Sequence, residues 1–394
     1  MNEQHIKLPI KKFGCYGLFK NLKFFDPFLW VYLISNGLLP TKIGLLIAIR
    51  ELIIYLFEIP SGVIADKYGK KIELVICFLF YIASFVLFFI GGTFFVFILA
   101  FIMYGFGEAF RSGTHKAMIM EFLDYHELKD DKSKVYGLTR SYSMVGSMIS
   151  SIFSIAFVLY LPNLKLLFLI SIVPYIIDLF LILSYPNYLN KKEQVKVSFI
   201  DFIKSISVVI VYSLKERKMR NTLIDSAMYN AIFKSVKDYI QPIVISFMIG
   251  ILFFESLSQE NNNEVMLGII YAVIFMISSL VSKNSYKVLS FGEKDKILYF
   301  IWAISAIVFI ILGYSINTWF VVVLLFIMIY VLQNIRKPIM VEKIGDITDN
   351  DKRASVLSVE SQITSLIIIF LAPLLGIIYD QFGAQFVFYL LAMI

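Results

Sequence analysis

The sequence predicts an all-α membrane protein whose helices cross a lipid bilayer many times. Of its 394 residues, 59% are hydrophobic and only 16% are charged, whereas a soluble domain is about half apolar and about a quarter charged. Apolar runs of about 20 residues also recur along the chain, and a helix of that length spans a bilayer core. This composition excludes an ordinary soluble domain.

Twelve apolar runs are candidate spans when they are counted by length rather than by helical periodicity. Their approximate limits are 15–38, 41–64, 72–92, 94–118, 135–160, 165–185, 222–251, 264–282, 297–314, 317–339, 354–378 and 384–394. The last run has only 11 residues, which is too few to cross a bilayer. We therefore expect a last helix that is truncated at the C-terminus.

The basic residues are distributed unevenly around these spans. Of the 36 Lys and Arg, 29 lie in the N-terminal flank, in the loops after spans 2, 4, 6, 8 and 10, or in the parts of the spans that adjoin them, whereas only Lys42 and Lys165 lie beside the opposite loops. Loops rich in Lys and Arg stay on the cytoplasmic side. The pattern predicts a multi-pass protein of the cell membrane with a cytoplasmic N-terminus, and it explains the net charge of +7 without a nucleic-acid partner.

Residues for metal, disulfide or enzyme chemistry are sparse. Cys15 and Cys77 lie in separate spans, and His5, His115 and His126 are not spaced as metal ligands or as part of a catalytic triad. The phosphate-binding pattern G-x-x-x-x-G-K-S/T does not occur. We therefore expect no metal, no cofactor and no enzymatic activity.

A polar stretch divides the spans into two groups of six. It predicts an N-terminal six-helix bundle at 1–185, a cytoplasmic linker at 186–220 and a C-terminal six-helix bundle at 221–394. Within the linker, apolar residues recur at helical spacing from 199 to 210, which favours an amphipathic helix at the membrane surface. A structural brace and a regulatory element are both open interpretations of this helix.

Segments of the first group of spans are similar in sequence to segments of the second group. When the end of span 4 is aligned with the end of span 10, Glu121 corresponds to Glu342. A second match is a shared form, G-x-x-x-D-x-x-G, in GVIADKYG at 62–69 and GIIYDQFG at 376–383. Two such matches indicate an internal repeat. Repeated bundles of helices are a common plan of secondary transporters.

The stretch SGVIADKYGKKIEL, residues 61–74, concentrates charge between two apolar runs. It resembles the signature of the major facilitator superfamily between helices 2 and 3, roughly G-x-x-x-D-R/K-x-G-R/K-R/K. The matching residues are Gly62, Asp66, Lys67, Gly69, Lys70 and Lys71. The number of spans and the long central loop are similar to the same family, in particular to its bacterial drug exporters.

The resemblance implies a twelve-helix fold of two six-helix bundles related by pseudo-twofold symmetry. It also implies a conformational latch, in which Asp66 faces the start of helix 11, near residues 352–355, when the cytoplasmic side is closed. The partly positive N-terminus of a helix suits such a contact. Gly62 would allow a neighbouring helix to approach, and Gly69 would permit a tight reversal into span 3. The alternative is a charged turn that only fixes the topology.

Two features depart from the family pattern. The loop after span 8 has Lys283 where an acid would be expected, so we expect no second latch there. Spans 4 and 5 lack the arginine and the Gly-Pro pair of many drug/proton antiporters in the family. These departures concern antiport and not membership of the superfamily.

Ionisable side chains inside the spans are the candidate site residues, because a charge at mid-bilayer costs about 2.5–3.5 kcal/mol. We expect Asp26 and Glu108 to carry protons. The candidate substrate-binding residues are Arg50, Glu51, Arg111, Arg140, Lys234, Lys237, Asp238, Gln241 and Glu360. Glu108 and Arg111 share a helix face, so a self-neutralising structural pair is the alternative for them.

Span 7 carries a polar stripe. The spacing of Asn230, Lys234, Lys237 and Gln241 places them on one face of a continuous helix, which indicates a water-lined surface. If the helix starts later, Lys234 and Lys237 instead extend to the membrane interface.

Together these features predict a secondary transporter that works by alternating access. We expect proton-coupled export, as an antiporter, of a small hydrophobic or amphiphilic organic molecule. The alternatives are uptake of an anionic nutrient and a non-transporting sensor or assembly protein on the same fold. The expected partners are the substrate, protons or another coupling ion, and the lipid bilayer, and we expect a monomer.

Overall fold

The structure, a computed structural model, describes residues 3–111, 114–126, 132–190, 215–248, 254, 256–285, 287–288, 292–348 and 353–394. Helices and their connecting turns make up these residues. The α-helices are α1 (Glu3–Lys20), α2 (Leu29–Ser35), α3 (Pro40–Tyr68), α4 (Lys70–Ile90), α5 (Phe94–Arg111), α6 (Thr114–Tyr125), α7 (Lys132–Tyr160), α8 (Leu166–Leu183), α9 (Arg217–Val236), α10 (Ile240–Met248), α11 (Gln259–Asn284), α12 (Lys294–Tyr314), α13 (Trp319–Asp346), α14 (Arg353–Phe382) and α15 (Ala384–Met393).

The predicted fold class is confirmed, since the described part of the chain is all-α and its helices follow the twelve predicted spans. Among the described residues, eight helices are long and apolar enough to cross a membrane, namely α4, α5, α7, α8, α11, α12, α13 and α14. Of the remaining predicted spans, the first and seventh are interrupted helices, the second carries several charges and the twelfth is the short α15.

The first predicted span is broken in its middle. α1 ends at Lys20, and Pro27 lies in a short 3-10 helix, Asp26–Phe28, before α2 begins. Side chains of α7 and α8 satisfy the backbone of the break, since Ser154 Oγ donates to Phe24 O at 2.7 Å and Tyr175 Oη donates to Lys20 O at 2.9 Å. A backbone that leaves the helix inside a membrane protein needs such partners.

The seventh predicted span is also two helices. α9 ends at Val236, Lys237 and Asp238 lie in the turn, and α10 begins at Ile240. The predicted polar stripe on one continuous helix is therefore wrong for Gln241, which lies on the second helix. Periodicity cannot detect this break, because the residues on both sides of it are compatible with a helix.

The chain forms two compact units. The first contains Met1–Tyr32, Leu52–Lys196 and Glu264–Ser279, and the second contains Leu33–Glu51, Val197–Asn263 and Leu280–Ile394. In the first unit, α4 packs on α5 and α8, and α1 packs on α7 and α8. In the second, α9 packs on α14, and α12 packs on α13 and α15. The boundaries predicted at 185 and 221 stay a prediction, because most of the linker lies outside the described residues.

Aromatic stacking fills the core of the first unit, and aliphatic side chains fill that of the second. The Phe168 ring lies 4.6 Å from that of Phe25 and 4.9 Å from that of Phe88, measured between centroids. Met219, Leu223 and other buried side chains of α9, α12, α13 and α14 form an apolar cluster. Each core is thus internal to one unit.

Candidate functional site

The turn between α3 and α4 carries the residues of the predicted latch. Gly69 has a φ of 101°, a left-handed conformation that favours glycine, so the predicted tight reversal is confirmed. The backbone N–H of Lys71 donates to Asn190 Oδ1 at 3.1 Å. The turn is thereby attached to the segment that follows α8.

Lys70 and Lys71 both bind within the first unit. The Lys71 ammonium donates to the carbonyl oxygens of Leu183 and Tyr185 at 3.0 and 2.9 Å, which are acceptors left free at the end of α8. The Lys70 ammonium pairs with Glu121 on α6. These contacts tie three helices of one unit together.

The latch itself involves groups that lie outside the described residues. These are the side chains of Asp66 and Lys67, residue 352, and the side chains of 353–355. At Gly62, no described atom lies within 4 Å of the position that a Cβ would take, so the expected close helix contact is not seen there. The contact of Asp66 with helix 11 stays a prediction.

The acid of the second G-x-x-x-D-x-x-G segment makes a contact of the kind predicted for Asp66. Asp380, at the end of α14, accepts hydrogen bonds at Oδ2 from the backbone N–H and the hydroxyl of Thr41, at 2.9 and 2.5 Å. Thr41 is the second residue of α3, so Asp380 caps a helix N-terminus. A Cβ on Gly376 would lie 2.5 Å from Pro40 O, which shows how closely α3 and α14 approach here.

A cluster of ionised and phenolic side chains surrounds Glu108 in the first unit. Glu108 accepts a hydrogen bond from Tyr81 Oη at 2.7 Å and pairs with Arg111, as their spacing predicts. Lys23, next to the break in the first span, binds Tyr104 and interacts electrostatically with Asp26. The structure therefore brings the two predicted proton carriers near one group of cations.

A fully buried acid adjoins this cluster. Asp178 on α8 has no exposed surface, and neither of its carboxylate oxygens has a hydrogen-bond partner among the described residues. Lys20 at the end of α1 interacts electrostatically with both Asp178 and Glu108. A buried ionised acid without partners is costly, so this position differs from the paired acids elsewhere.

Several other predicted residues form pairs of opposite charge. Arg50 bonds to the neighbouring Glu51 at 2.8 Å, and Ser365 on α14 donates to the second oxygen of Glu51 at 2.9 Å. Lys237 and Asp238 pair at 2.6 Å in the turn after α9.

Three predicted residues remain. Lys234 is exposed and interacts electrostatically with Glu51, so it adjoins the Arg50 and Glu51 pair. Gln241 is fully buried, and Arg140 is half-buried on α7. Gln241 and Arg140 each have an interaction within the chain.

The second unit contains a polar network centred on Glu360 of α14. Glu360 Oε1 accepts hydrogen bonds from Asn230 Nδ2 at 2.7 Å, from Ser226 Oγ at 3.0 Å and from Thr364 Oγ1 at 3.5 Å. Gln333 Nε2 on α13 donates to Asn230 Oδ1 at 2.8 Å. Three helices thus place four neutral polar side chains around one acid.

Arg336 on α13 is the functional candidate that the sequence did not reveal. It is only 2% exposed, and it pairs with Asp225 on α9 at 2.7 Å. Its guanidinium lies 4.4 Å from the ring centroid of Tyr229 and 5.5 Å from that of Trp302, whose indole N–H donates to Asp225 at 2.6 Å. The positive-inside pattern counts this arginine among the cytoplasmic basic residues, so the sequence does not indicate it as a site residue.

Residues of both networks line one small pocket of about 30 Å³ in the second unit. The lining side chains are Ser226, Asn230, Gln333, Arg336, Lys337, Met340, Val341, Ile344, Leu357 and Glu360. Part of this lining is polar, and its apolar part, the apolar wall, consists of Met340, Val341, Ile344 and Leu357.

Comparisons with known proteins agree on one family. A family model described as Major Facilitator Superfamily matches residues 18–283. The uncharacterized MFS-type transporter YxaM of Bacillus subtilis (strain 168) is 28% identical over 196 residues, which are 48% of this chain and 47% of that protein. The match thus spans about half the length of this curated relative.

Solved structures of transporters share the fold over nearly the whole chain. A crystal structure of nucleoside transporter NupG has a TM-score of 0.73 at 16% identity and covers 100% of this chain and 96% of its own. A crystal structure of D-xylose-proton symporter has a TM-score of 0.69 at 11% identity, with 99% and 96% covered. At these identities the likeness shows the fold alone.

Proposed function

Because this chain belongs to the major facilitator superfamily, and is thus a multi-pass membrane transporter, we propose that it exports a small amphiphilic organic molecule in exchange for protons. The pocket around Glu360 is the observation that carries this proposal. Its lining combines polar side chains, such as Asn230 and Gln333, with apolar ones, such as Met340 and Leu357. A molecule with one polar end and one apolar end fits such a pocket.

The pairing of basic residues supports this substrate class over an anionic nutrient. Arg336 is neutralised by Asp225, and Arg111 by Glu108. Arg50 likewise pairs with Glu51. An anion would have to compete with these carboxylates, whereas an amphiphile needs no unpaired cation.

The relation of Asp380 to Thr41 supports alternating access. We infer from the shared G-x-x-x-D-x-x-G form that Asp66 caps the start of α14 on the cytoplasmic side, as Asp380 caps the start of α3 on the other side. Each acid can hold its own side closed only while the two helices meet there. We propose that the two caps form in alternation, with the N-terminus in the cytoplasm.

The acids near Lys20 and Lys23 are the proposed proton carriers. Glu108 lies within a group of cations and phenols, and Asp26 lies in the break of the first span. A carboxylate that exchanges between cationic partners can couple protonation to a change in conformation. Glu108→Gln and Asp26→Asn remove the proton-accepting group while they keep the size of the side chain.

Flux into liposomes with an imposed pH gradient tests the proposal. Purified protein should move an amphiphilic substrate against its gradient when the proton gradient is applied, and Glu108→Gln should abolish this dependence. Flux that does not depend on the pH gradient would refute proton coupling. Absence of flux for every amphiphile tested, with correctly folded protein, would favour a sensor or an assembly protein.

A further inference from the structure

We infer that the pocket around Glu360 binds the protonated amine of its ligand, so that the substrate class is an organic amine with an apolar body. This inference rests on the proposed function and narrows it. It depends on three features of the pocket, namely an acid without a cationic partner among the described residues, two buried polar atoms without partners there and an apolar wall.

The acid is the first feature. Every hydrogen bond that the Glu360 carboxylate accepts from a described residue comes from a neutral group and ends on Oε1, from Ser226, Asn230 or Thr364. No described residue forms an ion pair with Glu360, whereas Glu51, Glu108 and Asp225 each have one. Buried charges in proteins are usually paired. A ligand ammonium supplies a cation at the second oxygen, Oε2.

The unpartnered atoms are the second feature. Gln333 Oε1 and Arg336 Nε are buried and have no hydrogen-bond partner among the described residues, although both side chains line the pocket. Buried polar atoms usually have partners. Gln333 Oε1 can accept from a second N–H of the same ammonium, and Arg336 Nε can donate to an oxygen of the ligand. An amine with a neighbouring hydroxyl would satisfy both atoms.

The apolar wall is the third feature. Met340, Val341, Ile344 and Leu357 line the pocket beside the polar groups. The pocket of about 30 Å³ has room for an ammonium group, and these apolar side chains can contact the aromatic or aliphatic body to which that group is attached. The ligand is therefore an amphiphilic amine rather than a fully hydrophilic one.

The other charges near the pocket do not favour an anion. Arg336 is paired with Asp225, so the two together add no net charge. Lys337 is exposed and has an interaction of its own within the chain. Glu360 therefore determines which charge the ligand carries.

Three probes of one skeleton test the inference, since they differ mainly in charge. These are phenylethanolamine, phenylethanediol and mandelate, and their binding to purified wild-type protein can be measured by calorimetry. We expect the amine to bind about 10- to 100-fold more tightly than the diol, because a hydrogen bond to a charged group contributes that much. Mandelate should bind most weakly.

Glu360→Gln removes the charge and keeps the size and one acceptor oxygen. This variant should lose about 10- to 100-fold in affinity for the amine and keep its affinity for the diol within about twofold. Glu342→Gln, on the same unit but away from the pocket, is the matched control and should bind as the wild type does. If Glu360→Gln does not fold, the order of the affinities of the three probes for the wild-type protein still tests the inference.

The inference is overturned if the wild type binds mandelate or the diol as tightly as the amine, if it binds none of the probes, or if Glu360→Gln keeps its affinity for the amine. Binding and flux separate the two proposals. Selective amine binding without flux would support the site and refute export, whereas proton-driven flux of an uncharged amphiphile without amine binding would refute the site alone.

Discussion

Asp380 accepts two hydrogen bonds from Thr41, one from the backbone N–H and one from the hydroxyl, and thereby caps the N-terminus of α3. The first backbone N–H groups of a helix have no partner within the helix, and a negative charge is favoured beside them. Because Asp380 and Asp66 lie in segments of the same form, G-x-x-x-D-x-x-G, this contact is the model for the predicted cytoplasmic latch.

The first prediction concerns this cap. Asp380→Ala should weaken the start of α3 by about 1 kcal/mol, the typical contribution of an N-terminal cap, and should speed hydrogen exchange at the amide of Thr41 about fivefold. Hydrogen-exchange mass spectrometry of the purified protein measures this. Asp346→Ala, which removes an exposed acid paired with Lys294, is the control. Unchanged exchange near Thr41 in Asp380→Ala would contradict the capping role.

The second prediction concerns the approach of α3 to α14. A Cβ on Gly376 would lie 2.5 Å from Pro40 O and 2.7 Å from Thr41 Cα, and these backbone atoms cannot move aside separately. Gly376→Ala should therefore lower thermal stability by roughly 1–3 kcal/mol, as overpacking does.

Gly62→Ala is the matched control for Gly376→Ala, because both glycines lie in long helices and Gly62 has no described atom within 4 Å of its Cβ position. It should be neutral or stabilising by up to about 1 kcal/mol, since alanine is the better helix former. Scanning fluorimetry compares the two variants. Equal losses of stability would mean that the α3–α14 approach is looser than described.

The fold could be predicted from the sequence because it depends on local and additive properties. The length of an apolar run decides whether a helix can span a membrane, and the turn at Gly69 needs only its own backbone freedom. The pair of Glu108 and Arg111 could be predicted for the same reason, since their spacing places them on one helix face. Such features need no knowledge of distant residues.

The helix breaks and the buried arginine could not be predicted, because distant residues determine them. The break after Lys20 is stabilised by Ser154 and Tyr175, which are more than a hundred positions away in the chain. Arg336 lies at the end of an apolar run, where a basic residue ordinarily meets water. Its burial follows from Asp225 and Trp302, whose position beside it only the folded unit reveals.

The third prediction concerns the Glu108 and Arg111 pair. Glu108→Gln leaves the arginine without its counter-charge and should cost roughly 1–3 kcal/mol in stability, somewhat less than for a fully buried pair. The double variant with Glu108→Gln and Arg111→Gln should lose less stability than the sum of the losses of the two single variants, because either single change already removes the ion pair. Denaturant unfolding of the four proteins in the cycle measures the coupling. Additive losses would show that the ion pair contributes nothing.

The last prediction concerns Arg336. Arg336→Lys keeps the charge but loses the planar group that faces Tyr229 and Trp302, so the exchange is not conservative. We expect a loss of roughly 2 kcal/mol, because a buried ammonium has fewer acceptors here and no ring contact of comparable quality.

The same change should alter the fluorescence of Trp302, whose indole N–H shares Asp225 with the arginine. Replacing Trp30 and Trp319 by Phe in the background isolates this signal, since the chain has three tryptophans. Arg336→Lys should shift the Trp302 emission, whereas Lys337→Arg next to it should leave the emission unchanged, because Lys337 is exposed. An unshifted spectrum with wild-type stability in Arg336→Lys would show that the guanidinium geometry does not hold α9, α12 and α13 together.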